Sequence, residues 1–88
     1  MTDLLINKNI NVPEAVTWET VRKVLIEARY PARGVTRTVL GCQRNGLSIQ
    51  DVVDMTNEEL LEERDIGKVG IEYLNLAIPI AVLGYLRR

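Results

Sequence analysis

The segment DIGKVG, residues 65–70, places two glycines three residues apart with a lysine between them. Glycine lets a backbone approach a ligand closely, and the N–H groups at the start of a helix carry a partial positive charge. The segment joins two helix-like runs, so its backbone could bind a phosphate group beside Lys68. The alternative interpretation is that the two glycines only permit a close crossing of two helices.

Charge is distributed unevenly along the chain, although the formal net charge is only −1. Residues 22–45 carry six basic side chains and one acidic side chain, a net charge of +5. Residues 46–65 carry seven acidic side chains and one basic side chain, a net charge of −6. This pattern excludes a uniformly basic nucleic-acid-binding protein but allows one basic and one acidic face. The simpler alternative is that both sets of charges are solvated helix surfaces.

The composition leaves few options for catalysis. The chain has no histidine and a single cysteine, Cys42, which removes the usual metal-ligand sets and histidine acid–base chemistry. No pattern typical of a catalytic pocket or an oxyanion hole accompanies the acidic residues. We therefore expect a non-enzymatic protein with no catalytic residues, metal, cofactor or small-molecule substrate. We expect Cys42 to be a small buried apolar residue. A lone cysteine and an N-terminus without a signal-peptide pattern predict a cytoplasmic location.

Helical patterns predict an all-α fold, a compact bundle of about five short helices. With 88 residues, 47% of them apolar, the chain can form one domain around an aliphatic core. Residues 1–12 predict an extended arm or a short strand, and residues 13–88 a single helical domain. The predicted helices are residues 17–29 with the N-cap Thr17, residues 35–44, a short helix after Ser48, a short helix opened by a capping box of Thr56 and Glu59, and residues 69–86.

The last of these segments, YLNLAIPIAVLGYL (residues 73–86), is apolar on nearly every face. The run is shorter than the roughly 20 residues of a membrane span, so we expect no membrane association. Pro79 should kink or break the helix near residues 75–78. A helix that is apolar on all sides must be buried on all sides, which predicts cover from helix 17–29, from a second subunit, or from both. The predicted interface of a homodimer or of a contact with a protein partner comprises Ile78, Ile80, Val82, Leu83 and Tyr85.

The segment from Arg37 to Leu74 resembles the C-terminal domain of the bacterial RNA polymerase alpha subunit. The matching features, in order, are Arg37 opening a helix, CQRNGL ending it, the short helices IQDVV and MTNEELL, and finally RDIGKVGIEYL. The likeness covers about 38 of the 88 residues, with one residue fewer near Ser48. It implies a helix-hairpin-helix within a SAM-like or alpha-subunit-like bundle, and it makes the predicted helix 17–29 an addition.

The resemblance also implies binding along the DNA minor groove. In that family an arginine at the start of the first matched helix enters the groove, and the hairpin faces the phosphate backbone. Transferred to this chain, the implied DNA-binding residues are Arg37, Arg44, Ile66, Gly67, Lys68 and Gly70. Two departures put apolar residues in place of polar contacts: Leu40 replaces a groove-contacting asparagine, and Val69 replaces a basic residue of the hairpin.

Two functions are compatible with these features. The first is a small DNA-binding module, for example in transcription regulation, with weak and largely sequence-independent affinity. The second is a protein-interaction module that binds itself, a polymerase or a replication protein through the apolar C-terminal helix and the acidic segment. Binding to phosphates weakens steeply with salt, whereas apolar association does not, so salt dependence distinguishes the two.

Overall fold

The fold is that of a computed structural model, which describes residues 11–87 of the chain. Within this range the protein consists of five helices and has no strand, so the predicted all-α class is confirmed. The helices are α1 (Trp18–Glu27), α2 (Ala32–Arg44), α3 (Ile49–Asp54), α4 (Asn57–Leu61) and α5 (Gly67–Leu86). Most of the predicted arm or strand at residues 1–12 lies outside the described residues.

Three of the five helices start at capping boxes, each formed by residues three positions apart in sequence. In each box the first side chain accepts a hydrogen bond from the backbone of the second residue, whose side chain accepts one in return. The pairs are Thr17 with Thr20, Ser48 with Asp51, and Thr56 with Glu59. The predicted N-caps Thr17, Ser48 and Thr56 are therefore confirmed.

The junction between α1 and α2 differs from the prediction. Helix α1 ends at Glu27, because Arg29 adopts a left-handed conformation with φ of 70° and turns the chain. Helix α2 then begins at Ala32, directly after Pro31 and earlier than predicted, so Arg37 lies inside the helix and does not open it. Gly34 lies in the first turn of α2.

Helix α5 forms the centre of the bundle and packs against α1, α2 and α4. Its residues Leu74 and Ile78 are almost fully buried, together with Leu25 of α1 and Leu60 of α4. The added N-terminal helix therefore belongs to the core. Trp18 holds the N-terminal end of α1 in place, because its indole Nε1 donates a hydrogen bond of 3.1 Å to the backbone oxygen of Leu47.

Pro79 does not break α5, which runs from Gly67 through to Leu86. Proline lacks an N–H group, so the carbonyl oxygen of Asn75, four residues earlier, loses its usual helical partner. The side chain of Asn75 is also buried, and its Oδ1 has no hydrogen-bond partner among the described residues. The predicted break near residues 75–78 is therefore wrong, whereas the alternative of a kink there stays a prediction.

By length and composition, α5 could cross a membrane. It has 20 residues, and its most apolar 18-residue stretch has a mean hydropathy of 1.6, which corrects the prediction that the apolar segment is too short. However, 44% of that stretch is buried inside the described part of the chain. The core helices of globular proteins can reach the same length and hydropathy. The packing of α5 against three other helices is typical of such a core helix.

Candidate nucleic-acid interface

We refer to the loop that joins α4 to α5, residues 62–66, as the hairpin, and glycine is favoured directly after it. Gly67, the first residue of α5, has φ of 63°, a left-handed conformation that a side chain disfavours. No atom lies within 4 Å of the position that its Cβ would occupy, so the requirement is conformational rather than steric. The side chain of Ile66 is only 5% exposed and anchors the turn in the core. The start of α5 is thereby held at the protein surface.

Helix α2 approaches the hairpin closely at Gly41. A Cβ atom on Gly41 would lie 3.0 Å from the backbone oxygen of Asp65, so only glycine fits without a shift. Asn45, the C-cap of α2, reinforces this contact. Its Nδ2 donates hydrogen bonds to the oxygens of Gly41 (2.8 Å) and Arg64 (2.7 Å). These contacts fix the hairpin relative to the basic residues of α2.

Gly70 has a different role from Gly67. It is buried, and a Cβ atom there would lie 3.2 Å from both Cγ2 and Oγ1 of Thr38 on α2. Gly70 therefore permits the close crossing of α2 and α5, which agrees with the packing interpretation of the glycine pair. Ile66 and Gly70 are both buried, so a contact of theirs with DNA would be made by the backbone, and that contact stays a prediction.

The other predicted DNA-binding residues do converge, around two open grooves that share Arg37. The first groove, about 500 Å³ in volume, runs between α2 and the start of α5 and is lined by Arg37, Lys68 and Gly67 among others. The second, about 380 Å³, follows α2 and is lined by Arg37 and Arg44. Residues that are up to 31 positions apart in sequence thus face one continuous surface.

This surface carries uncompensated positive charge. We define the basic face as the four exposed cations that line the two grooves: Arg33, Arg37, Arg44 and Lys68. None of the four has a carboxylate partner within salt-bridge distance in the described part of the chain. Asp65 lines both grooves and reduces the local charge without pairing. On α1, by contrast, Arg22 binds Glu19 at 2.6 Å, and this hydrogen bond holds the pKa of Glu19 below its usual value.

Helix α5 adds its own partial charge to the basic face. Its N-cap, Ile66, makes no side-chain hydrogen bond to the first N–H groups of this 20-residue helix. The positive end of the helix dipole lies at the same point, beside Lys68. Backbone donors, dipole and cations therefore meet at one end of the molecule.

Several residues of this site were missed by the sequence interpretation. Arg33 precedes Arg37 by four residues, a helical spacing that could have placed both on one side of a helix. Tyr73 lines the first groove and packs edge-on against Tyr30, with ring centroids 5.2 Å apart. Nothing local indicates the role of Asn45, because its partner Arg64 lies 19 positions away.

The remaining chemistry of the described residues is limited. Cys42 is fully buried, and desolvation raises the pKa of its thiol to about 11. The thiol is therefore protonated at neutral pH, which confirms the interpretation of Cys42 as a small buried apolar residue. Between residues 11 and 87, no three cysteine, aspartate or glutamate side chains are grouped so as to hold a metal ion.

The C-terminal half of α5 carries a second exposed surface. Of the predicted interface residues, Ile78 and Val82 are 1% and 4% exposed, so their assignment to an oligomer interface is wrong. They lie four residues apart, on the side of α5 that faces the core. The others are exposed, as is Leu86. We define the apolar patch by four residues whose exposed fractions lie between 42% and 63%: Ile80, Leu83, Tyr85 and Leu86.

The chain matches no protein family, no curated protein and no solved structure. The likeness to the alpha-subunit domain therefore remains an expectation drawn from the residues between Arg37 and Leu74. The geometry and charge of the basic face and the apolar patch are therefore the basis of the proposed function.

Proposed function

We propose that the protein is a small non-enzymatic DNA-binding module that contacts the minor groove and the flanking phosphates of duplex DNA. The observation that supports this most strongly is the convergence of Arg37, Lys68 and the uncapped start of α5 around one groove. All three groups carry a full or partial positive charge, which attracts a polyanion such as DNA. The resemblance to the alpha-subunit domain suggests transcription regulation as the setting.

Three of the four cations of the basic face have a role in this proposal. Arg37 enters the minor groove, where the negative potential favours a guanidinium group. Arg44 and Lys68 bind phosphates on either side. The free N–H groups at the start of α5 bind a further phosphate, as helix N-termini do in other phosphate sites. Because these cations have no carboxylate partners in the described chain, binding DNA breaks no existing ion pair.

The proposed binding is weak and largely independent of sequence. Direct discrimination between bases relies mainly on hydrogen bonds to base edges, which Leu40 and Val69 cannot form. Phosphate contacts alone give dissociation constants of roughly 10⁻⁴ to 10⁻⁶ M at physiological salt. We expect an affinity in this range for any duplex of mixed sequence.

Fluorescence anisotropy of a labelled duplex, measured at several salt concentrations, tests this proposal. Replacing Arg37 or Lys68 by alanine should weaken binding and flatten the slope of log K against log salt by about one unit each. Lys23→Ala is the matched control, because Lys23 is an exposed cation on α1, away from both grooves. Unchanged binding by both variants, or no binding by the wild type even at low salt, would refute the proposal.

The apolar patch favours a second candidate function, a protein-interaction module. Four large apolar side chains are exposed within residues 80–86, and contiguous apolar surface of this kind often marks a protein contact. We propose a homodimer formed through this patch, with a polymerase or replication protein as the alternative partner. Such association relies on apolar burial, so it should persist at salt concentrations that abolish DNA binding.

A further inference from the structure

Leu40 is an apolar residue in the middle of the basic face. It lies on the exposed side of α2, where 40% of its surface remains accessible, and it lines the second groove between Arg37 and Arg44. Leu40 belongs neither to the buried hydrophobic core nor to the partly buried side chains packed against it. A polar residue would serve better beside cations that only bind phosphates.

We infer that Leu40 inserts between base pairs as an apolar wedge, so that the protein bends the DNA it binds and prefers duplexes that unstack easily. This inference rests on the proposed DNA-binding function. The preferred ligand is then a flexible or locally distorted duplex, and Leu40 is the residue that selects this duplex.

The spacing along α2 supports this geometry. Arg33, Arg37, Leu40 and Arg44 follow one another at intervals of four, three and four residues, and all four line the second groove. Arg33 and Arg44 are separated by roughly 16 Å along the helix axis. This span is enough to reach phosphates on both walls of a minor groove about 6 Å wide. Leu40 lies between them, next to the arginine proposed to enter the groove.

The chemistry of leucine suits insertion between base pairs rather than recognition of base edges. A leucine side chain offers no hydrogen bond to a base edge or a phosphate. Proteins that bind the minor groove commonly insert leucine or another apolar side chain between base steps, which kinks the duplex by about 20–90°. Unstacking is least costly at a mismatched base pair, so a mismatch should favour the wedge.

The test compares three proteins on two duplexes of identical charge, each labelled at both ends for energy transfer. One duplex is fully paired, and the other has a single central mismatch. The proteins are the wild type, Leu40→Ala, and the control Leu61→Ala, which truncates a leucine of similar exposure on the acidic helix α4. Thermal unfolding verifies that each variant is folded.

We expect wild type and Leu61→Ala to shorten the end-to-end distance and to bind the mismatched duplex about tenfold more tightly than the paired one. Leu40→Ala should lose the bend and the preference while keeping the salt dependence, because no cation is removed. If the wild type binds but leaves the duplex straight, or if Leu40→Ala bends it equally, the inference is wrong and the proposed function stands. If the wild type binds neither duplex at low salt, both fail.

Discussion

The two ends of α5 present opposite chemistries. At its start, Gly67 and Lys68 lie beside an arginine-bearing helix, and the first N–H groups have no side-chain cap. At its end, residues 80–86 contain no charged side chain and expose four large apolar ones. The middle of the helix, around Leu74, is buried in the core.

The difference shows how one central helix can serve two kinds of contact. Its middle is held by α1, α2 and α4, and its two ends expose surface of opposite character. A contact at the start of α5 would depend on charge and therefore on salt, whereas a contact at its end would depend on removing apolar area from water. The two surfaces are connected only through the core. A substitution in one surface should therefore change binding through that surface alone, whereas a substitution in the core should change both.

The largest effect is expected from Leu74→Ala, which acts on the part of α5 that both ends share. Leu74 is fully buried, and a leucine-to-alanine change in a core typically lowers the free energy of unfolding by about 2–5 kcal/mol. Urea denaturation should show this loss, and binding through both surfaces should weaken with it. Leu61→Ala, at an exposed position of α4 outside the apolar patch, serves as control and should change stability by less than about 0.5 kcal/mol. A small loss for Leu74→Ala would contradict the central position of α5.

A smaller and more selective effect is expected from Leu83→Glu in the apolar patch. Each large aliphatic side chain that is buried on association contributes about 1.5–3 kcal/mol, and a charge there opposes burial. In sedimentation, the wild type should have twice the mass of the 10.0 kDa chain, and the variant the mass of one chain. The core should remain intact, since Leu83 is 53% exposed.

Leu61→Glu is the matched control for that experiment, because Leu61 is 45% exposed but lies on α4, outside the patch. It should leave the mass unchanged. A wild-type protein that sediments as a single chain at high micromolar concentration would show that the patch does not drive self-association.

The smallest effect is expected from a pair of glycine substitutions at the two ends of α5. Gly67→Ala forces a side chain into the left-handed conformation and should cost about 1–2 kcal/mol of stability. Gly84→Ala meets no atom within 4 Å and removes backbone freedom from the unfolded chain, so it should stabilise by about 0.5–1 kcal/mol. Thermal or urea unfolding measures both, and a gain of stability for Gly67→Ala would show that the conformation assigned to Gly67 is wrong.

The sequence predicted best those features that depend on neighbouring residues. Capping boxes such as Ser48 with Asp51 join residues three positions apart, so the starts of three helices could be located without tertiary information. The basic residues Arg37, Arg44 and Lys68 could be chosen for the site because the resemblance supplied the arrangement. Their meeting on one surface is seen only in the folded chain.

Features that depend on several helices at once were predicted poorly. A segment apolar on all sides has no periodicity to show which residues face inwards, so Ile78 and Val82 were assigned to an interface although they are buried. The left-handed turn at Arg29 was also missed, because its sequence shows neither glycine nor asparagine at that position.

By itself, the sequence determined the all-α class, most helix starts and the separation of basic from acidic segments, because caps, helical periodicity and charge order are properties of local sequence. Only the tertiary structure decided which side of α5 is covered and how α2 meets the hairpin. Those outcomes depend on contacts such as Gly41 against Asp65 and Asn45 to Arg64, which form between residues far apart in the chain. Such contacts require the whole bundle to pack, and no local pattern encodes them.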